Sequence, residues 1–188
     1  LDDYEFVLQV HLMGSVYTTH AAYPVMREKD YGRILMVTSS AGIYGNFGQS
    51  NYGAAKMGIV GLMNSLKVET GRNNINVNTL APLAATRIAE PSGIFDQYDA
   101  NLVTPEAVTA MATYLVSEEC VESGNIIAAT AGYYSKVHVV EGAGVRMNPH
   151  TKATPELIET QWKTILELKE PKPYYDAVEH LNNVMAKE

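Results

Sequence analysis

The chain has 188 residues, of which 46% are hydrophobic and 19% charged, enough for one globular domain with a real core. Its 14 basic against 21 acidic residues leave a net charge of -7, which argues against a nucleic-acid surface. The longest apolar runs, such as Ile126 to Ala129, are too short to span a membrane, and one cysteine, Cys120, cannot form an intramolecular disulfide.

In chain order, Asp3 to Lys29 carries Phe6, Val7, Val10, Met13, Val16, Tyr17 and Ala21 at helical spacing, with Pro24 expected to kink the helix or start a new turn. Asp30-Tyr-Gly-Arg reads as a turn, and Ile34 to Val37 as a short buried parallel strand. A Gly-rich loop separates that strand from a long helix over 51–70, in which Gly53, Gly58 and Gly61 allow close approach by another helix. Asn76 to Leu80 is the second strand, and the stretch from Pro82 to Val103 is irregular, as a lid would be. Thr104-Pro105-Glu106 predicts a helix with threonine as cap and proline at the first position, running to Glu118. Ile126 to Ala129 is the third strand, with a further candidate over Val137 to Val140. Thr154-Pro155-Glu156 opens another capped helix bearing Leu157, Ile158, Trp162, Ile165 and Leu166 on one face; Pro171 and Pro173 end it, and Tyr174 to Ala186 forms a last one. Strands alternating with helices predict an α/β fold, half of a parallel sheet. Cys120 reads as a buried or semi-buried structural thiol. His20, His138, His150 and His180 share no ligand spacing with acids or Cys120, so no metal is expected.

The chemistry concentrates at the end of the first strand. Ser39 precedes Tyr52 by 13 positions, and Tyr52 and Lys56 stand at i and i+4, which puts phenol and ammonium on one helix face. A phenol is a poor base at neutral pH, and a neighbouring ammonium favours its phenolate. A serine hydroxyl opposite would hold the oxygen of an alcohol or carbonyl, so the three residues form a proton-transfer device for interconverting the two. Ser40 is the second choice for the serine.

These residues, with Ile43-Tyr-Gly-Asn-Phe-Gly-Gln49 and Asn51-Tyr-Gly-Ala-Ala-Lys56, resemble the short-chain dehydrogenase/reductase family. The likeness runs from Leu1 to Gly132 and is greatest to the (3R)-hydroxyacyl-CoA dehydrogenase branch of multifunctional enzymes type 2, with bacterial relatives acting on acyl-CoA or steroid substrates equally close. The resemblance implies a Rossmann-type doubly wound sheet of which this chain is the C-terminal half, with residues 1–144 the catalytic half and 145–188 a helical extension. It implies an NAD-dependent oxidoreductase with Ser39, Tyr52, Lys56 and His11 as catalytic residues. His11 lies in His11-Leu-Met-Gly14, where the family commonly has asparagine; it supports a proton-relay water or is simply a packed helix histidine. Tyr52, Lys56, Pro82, Leu83 and Thr86 would contact the cofactor, although the glycine that often follows the proline is here Leu83. Ser39, Tyr44, Asn46, Phe47 and Gln49 would touch substrate.

The implied substrate is a (3R)-hydroxyacyl-CoA, with a 17β-hydroxysteroid as alternative. A homodimer through helices 3–29 and 51–70 is expected, unless the three glycines pack within one subunit. The family's Gly-x-x-x-Gly-x-Gly loop, acidic ribose selector and Asn-Ala-Gly stretch do not occur in the sequence, and Gly142-Ala-Gly144 is the only partial echo. Ile34 to Val37 would then have an unpaired edge. The chain is therefore expected to be part of a longer protein, one of two complementary chains, or a non-catalytic partner subunit. Its start, Leu-Asp-Asp-Tyr-Glu, lacks the basic character of a signal peptide, and its end, Ala-Lys-Glu, is no peroxisomal address. A cytoplasmic location is expected, or a peroxisomal one as an internal part of a longer chain.

Overall fold

In the computed structural model, residues 1–87, 96, 99 and 101–186 are described. The expected lid between Pro82 and Val103 lies for the most part outside the described residues, as do Lys187 and Glu188. The chain divides into two compact units, residues 1–137 and 138–188.

The first unit is an α/β half-sheet. Helix α1 (Asp2–Leu8), a π-helical turn (Gln9–Met13) and α2 (Gly14–Glu28) lead into β1 (Gly32–Val37). A short α3 (Ser40–Tyr44) and a long α4 (Ser50–Glu69) precede β2 (Ile75–Pro82); α5 (Glu106–Leu115), β3 (Ile126–Thr130) and β4 (Tyr133–Val137) follow. The sheet order is β1-β2-β3-β4, with β1, β2 and β3 parallel and β4 antiparallel to β3.

Side chains alternate between the two faces of each strand, and both faces are covered. Met36, Ile75, Val77 and Ile126 pack with Ile59, Val60 and Met63 of α4 on one face. Leu80 and Ala129 pack with Val108 and Leu115 of α5 and the buried Cys120 on the other. This is the doubly wound half-sheet that the strand–helix alternation predicts.

Four local expectations are corrected. The helix passes through Pro24 without a break; Pro24 and His20, whose carbonyl it leaves without a helical partner, are both exposed, so water satisfies the group. Helix α5 ends at Leu115 and has Pro105, with no side-chain bond, at its cap. Its first turn closes through Ala107 N–H to the Thr104 carbonyl, so the threonine hydroxyl is not the cap. The candidate strand over Val137 to Val140 instead ends at Val137, because Ala131 (φ 46°) and Gly132 (φ 75°) form a tight turn after Thr130. Two consecutive positive φ values match the right-handed twist of a hairpin, so the chain doubles back as an antiparallel fourth strand. The sheet thus has four strands where the sequence suggests three.

The glycines of α4 divide in use. A Cβ on Gly53 would lie 3.1 Å from the Ala41 carbonyl oxygen, and one on Gly58 3.0 Å from Leu12 Cδ2, so both serve packing inside the chain. Gly61 faces open space.

The second unit is built on two capped helices, α6 (Pro155–Leu166) and α7 (Ala177–Met185). Thr154 and Asp176 accept from the Leu157 and Glu179 N–H groups, as N-caps do. Glu141 bridges to Lys172 as an isolated strand pair, and its carboxylate lies 2.9 Å from His180 Nε2.

Two substitutions check this packing. Gly61→Ala is expected to raise unfolding stability by about 0.5–1 kcal/mol, since alanine costs less backbone entropy in an open helical position. Gly42→Ala, whose Cβ would stand 2.8 Å from Lys56 Cβ and 2.9 Å from the Met57 nitrogen, is expected to lower it. The cost is about 1–3 kcal/mol, read from urea midpoints.

Candidate active site

The parallel strands end side by side at Val37, Pro82 and Thr130, the edge of an open α/β sheet where ligands bind. Ser39 follows β1 after Thr38 and caps α3, its Oγ accepting from Ala41 N at 3.2 Å. That bond uses an oxygen lone pair; the hydroxyl proton has no acceptor among the described residues and can be given to a ligand oxygen. Ser40, by contrast, is the first residue of α3 and is exposed.

Helix α3 rests on the first turns of α4 through Gly42 and Gly53, which brings the Ser39 segment against the helix that bears Tyr52 and Lys56. Lys56 is only 8% exposed. Its Nζ donates to the Val37 carbonyl at 2.9 Å and lies 5.6 Å from the centre of the Tyr52 ring. Burial holds the ammonium below the ordinary lysine value. His11 makes an edge-on ring contact with Tyr52, centroids 5.1 Å apart. His11 lies in the π-helical turn Gln9–Met13, a distortion that is frequent at functional sites. Its imidazole is held below the ordinary 6.5, first by burial and then by the Lys56 charge. The Tyr52 ring thus has an imidazole and an ammonium as neighbours, and its hydroxyl has no protein partner among the described residues.

The structure brings Ser39, Tyr52, Lys56 and His11 to the end of β1. The proposed substrate residues lie apart from this cluster, in the loop between α3 and α4: Tyr44 closes α3, Phe47 is fully exposed, and Asn46 Nδ2 donates to Gln49 Oε1 at 3.0 Å. Pro82 ends β2, the Leu83 N–H donates to the Ala129 carbonyl, and Thr86 is exposed beyond it.

Sequence reasoning did not single out Thr38 or Val37, whose hydroxyl and carbonyl both bond Lys56. Their position just before Ser39 is the only signal that could have found them.

A groove of about 530 Å³ runs from this cluster along β1, lined by His11, Gly14, Thr18, Met26, Ile34 and Lys56 among others. Backbone groups alternate along a strand, and Gly32 N–H and Thr38 N–H both donate towards β2. Arg33, Leu35 and Val37 therefore turn their N–H and C=O groups to the groove, and β1 has no strand on that side among the described residues.

Nicotinamide cofactors fit one end of this arrangement. The hydroxyls and ammonium suit a nicotinamide ribose, but a pyrophosphate needs a glycine turn at a helix N-terminus. Gly142-Ala-Gly144 cannot serve, because a Cβ on Gly142 would lie 2.3 Å from the Glu167 carbonyl oxygen and no helix opens before Pro155. Among the described residues no cluster of three or more histidine, cysteine or acidic side chains could hold a metal ion. No described helix is long and apolar enough to cross a membrane.

Residues 1–92 match the short chain dehydrogenase family. The chain is 40% identical over 172 residues to peroxisomal multifunctional enzyme type 2 of Drosophila melanogaster, covering 90% of this chain and 28% of that protein. It is 38% identical over 187 residues to peroxisomal multifunctional enzyme A of Dictyostelium discoideum, covering 98% of this chain and 41% of the relative. The full-length structure of the Drosophila enzyme superposes on 98% of this chain and 34% of its own, with TM-score 0.85 and 35% identity. The chain therefore spans less than half the length of these relatives.

The depressed His11 value has a consequence for stability. Between its folded value and 6.5 the unfolded chain binds more protons, so the stabilisation is present above 6.5 and is lost as pH falls through the folded value. His11→Asn is expected to flatten this acid-side loss in urea midpoints measured across the window; an unchanged slope would place the titration elsewhere.

Proposed function

The chain belongs to the short-chain dehydrogenase family, and from that premise we propose that it interconverts a (3R)-hydroxyacyl-CoA and a 3-ketoacyl-CoA with NAD. The observation that carries this is the Tyr52 ring with the Lys56 ammonium and the His11 imidazole as neighbours at the end of β1, on the helix packed against the Ser39 segment.

In the oxidising direction Ser39 donates a hydrogen bond from its hydroxyl to the substrate oxygen and fixes its position. Tyr52 takes the alcohol proton, and the Lys56 charge favours the negative charge that develops on the phenol as its own proton leaves. His11, neutral at neutral pH, is placed to pass that proton through water to solvent. Such positioned proton transfer contributes about 10²–10⁴-fold. The nicotinamide, when bound, supplies the hydride acceptor. Tyr52 and Lys56 would hold its ribose, and Pro82, Leu83 and Thr86 would contact its carboxamide. Tyr44, Asn46, Phe47 and Gln49, in the α3–α4 segment apart from that cluster, would touch a more distant part of the substrate.

A 17β-hydroxysteroid is the alternative substrate, and the word peroxisomal in the relatives' names supports that location alongside a cytoplasmic one. In this reading residues 1–144 are the catalytic half and 145–188 a helical extension. Exposed Phe6, Val10, Tyr17 and Met57 on helices 3–29 and 51–70 support a homodimer, with Gly61 as the open point of approach. The missing pyrophosphate cradle favours one further reading, a non-catalytic partner subunit, which has no use for the Ser39, Tyr52 and Lys56 set.

The test is Tyr52→Phe in the full-length protein. Turnover is expected to fall by about 10²–10⁴-fold with the unfolding midpoint unchanged; retained turnover would remove Tyr52 from its role. Lys56→Ala is expected to weaken both turnover and NADH affinity, read by nicotinamide fluorescence, and a change in neither would make the motif accidental.

A further inference from the structure

We infer that Thr38 is the positioning residue for Lys56: its buried hydroxyl pins α4 to the end of β1 and so fixes where the ammonium can reach. The inference rests on the proposed role of Lys56 and adds a residue outside the Ser39, Tyr52, Lys56 set.

Thr38 is 1% exposed, and its hydroxyl donates to the Lys56 carbonyl at 2.7 Å. Its own N–H donates to the Leu80 carbonyl at 2.8 Å, so the residue is fastened to β2 at the same time. The Lys56 carbonyl already lies within the hydrogen-bonded body of α4, so helix formation does not require a second donor there. What the extra bond does is tie one helical residue to the strand. That residue is the lysine whose Nζ reaches back to Val37, the neighbour of Thr38, at 2.9 Å.

Lys56 is therefore held at both ends. Its backbone is anchored by Thr38 and its ammonium by Val37, while Gly42 clears the space at its Cβ. The titratable groups beside it are Tyr52 on its own helix and His11 from the π-helical turn. A shift of α4 by a fraction of a turn would carry the ammonium out of the strand end and away from Tyr52. The reach of the ammonium to the Val37 carbonyl depends on where α4 sits against the strand end, and Thr38 fixes that.

A structural role alone would show as lost stability. A positioning role shows at the ammonium, and is reversed by the residue that restores only the hydroxyl. The experiment labels the chain at lysine Cε and follows the Lys56 resonance, assigned by its loss in Lys56→Arg, through a pH titration by NMR. In Thr38→Val the Lys56 midpoint is expected to move up towards the ordinary lysine value, as the side chain leaves its buried place, and in Thr38→Ser to return. In the full-length protein the valine variant is expected to lose about tenfold or more in kcat, within the range of positioned proton transfer, with KM little changed and serine restoring it. Thr38→Ala is read in the same way if the valine variant does not fold. A Lys56 titration that stays in place without the hydroxyl, or that serine does not restore, overturns the inference. The titration needs neither substrate nor cofactor, so it decides the role of Thr38 even if the protein does not turn over a hydroxyacyl-CoA.

Discussion

Two hydrogen bonds join the end of β1 to α4, Thr38 to the Lys56 carbonyl and Lys56 Nζ to the Val37 carbonyl, and the candidate site is built around that joint. Each is worth only about 0.5–1.5 kcal/mol net. Their effect is geometric. They fix a long helix against a strand at the one residue whose charge the chemistry needs. From there Tyr52 follows at one turn's distance, Ser39 follows Thr38 in sequence, and the π-helical turn brings His11 against the phenol ring.

The same strand has a second, open side. Parallel sheets are usually buried on both faces and paired within, and an unpaired edge invites another strand. Here the edge of β1 and the groove beside it run into the site, with Lys56 already bonded to one of the outward carbonyls. Helix α1, the π-helical turn and α2 leave Phe6, Val10 and Tyr17 exposed. These features fit a half-sheet made to be continued, in keeping with the short span of this chain in its relatives.

Much of this was legible in the sequence. The three parallel strands and α4 were readable because apolar runs bounded by turn residues and a long helical period leave few alternatives. The spacing of Ser39, Tyr52 and Lys56 was readable because a helix turns a separation of four into a shared face. The fourth strand was missed because it is short and mostly exposed, and its only marker is the Ala131-Gly132 turn. The unbroken passage through Pro24 was not readable, since it depends on the lost bond falling on the solvent side. Nor was the anchoring of Lys56: a threonine at a strand end gives no sign of which carbonyl its hydroxyl meets until the helix is packed against it. Gly53 and Gly58 read first as a face for a partner helix, and the neighbours Ala41 and Leu12 show that they pack within the chain.

The most direct test of the dehydrogenase account follows an atom. The full-length protein is given a (3R)-hydroxyacyl-CoA carrying deuterium on the carbinol carbon, together with NAD, and the reduced nicotinamide is examined by mass spectrometry. The account requires the label to appear on the nicotinamide, from the 3R substrate and not from its 3S isomer. A nicotinamide that stays unlabelled, or label that arrives equally from both isomers, would contradict it.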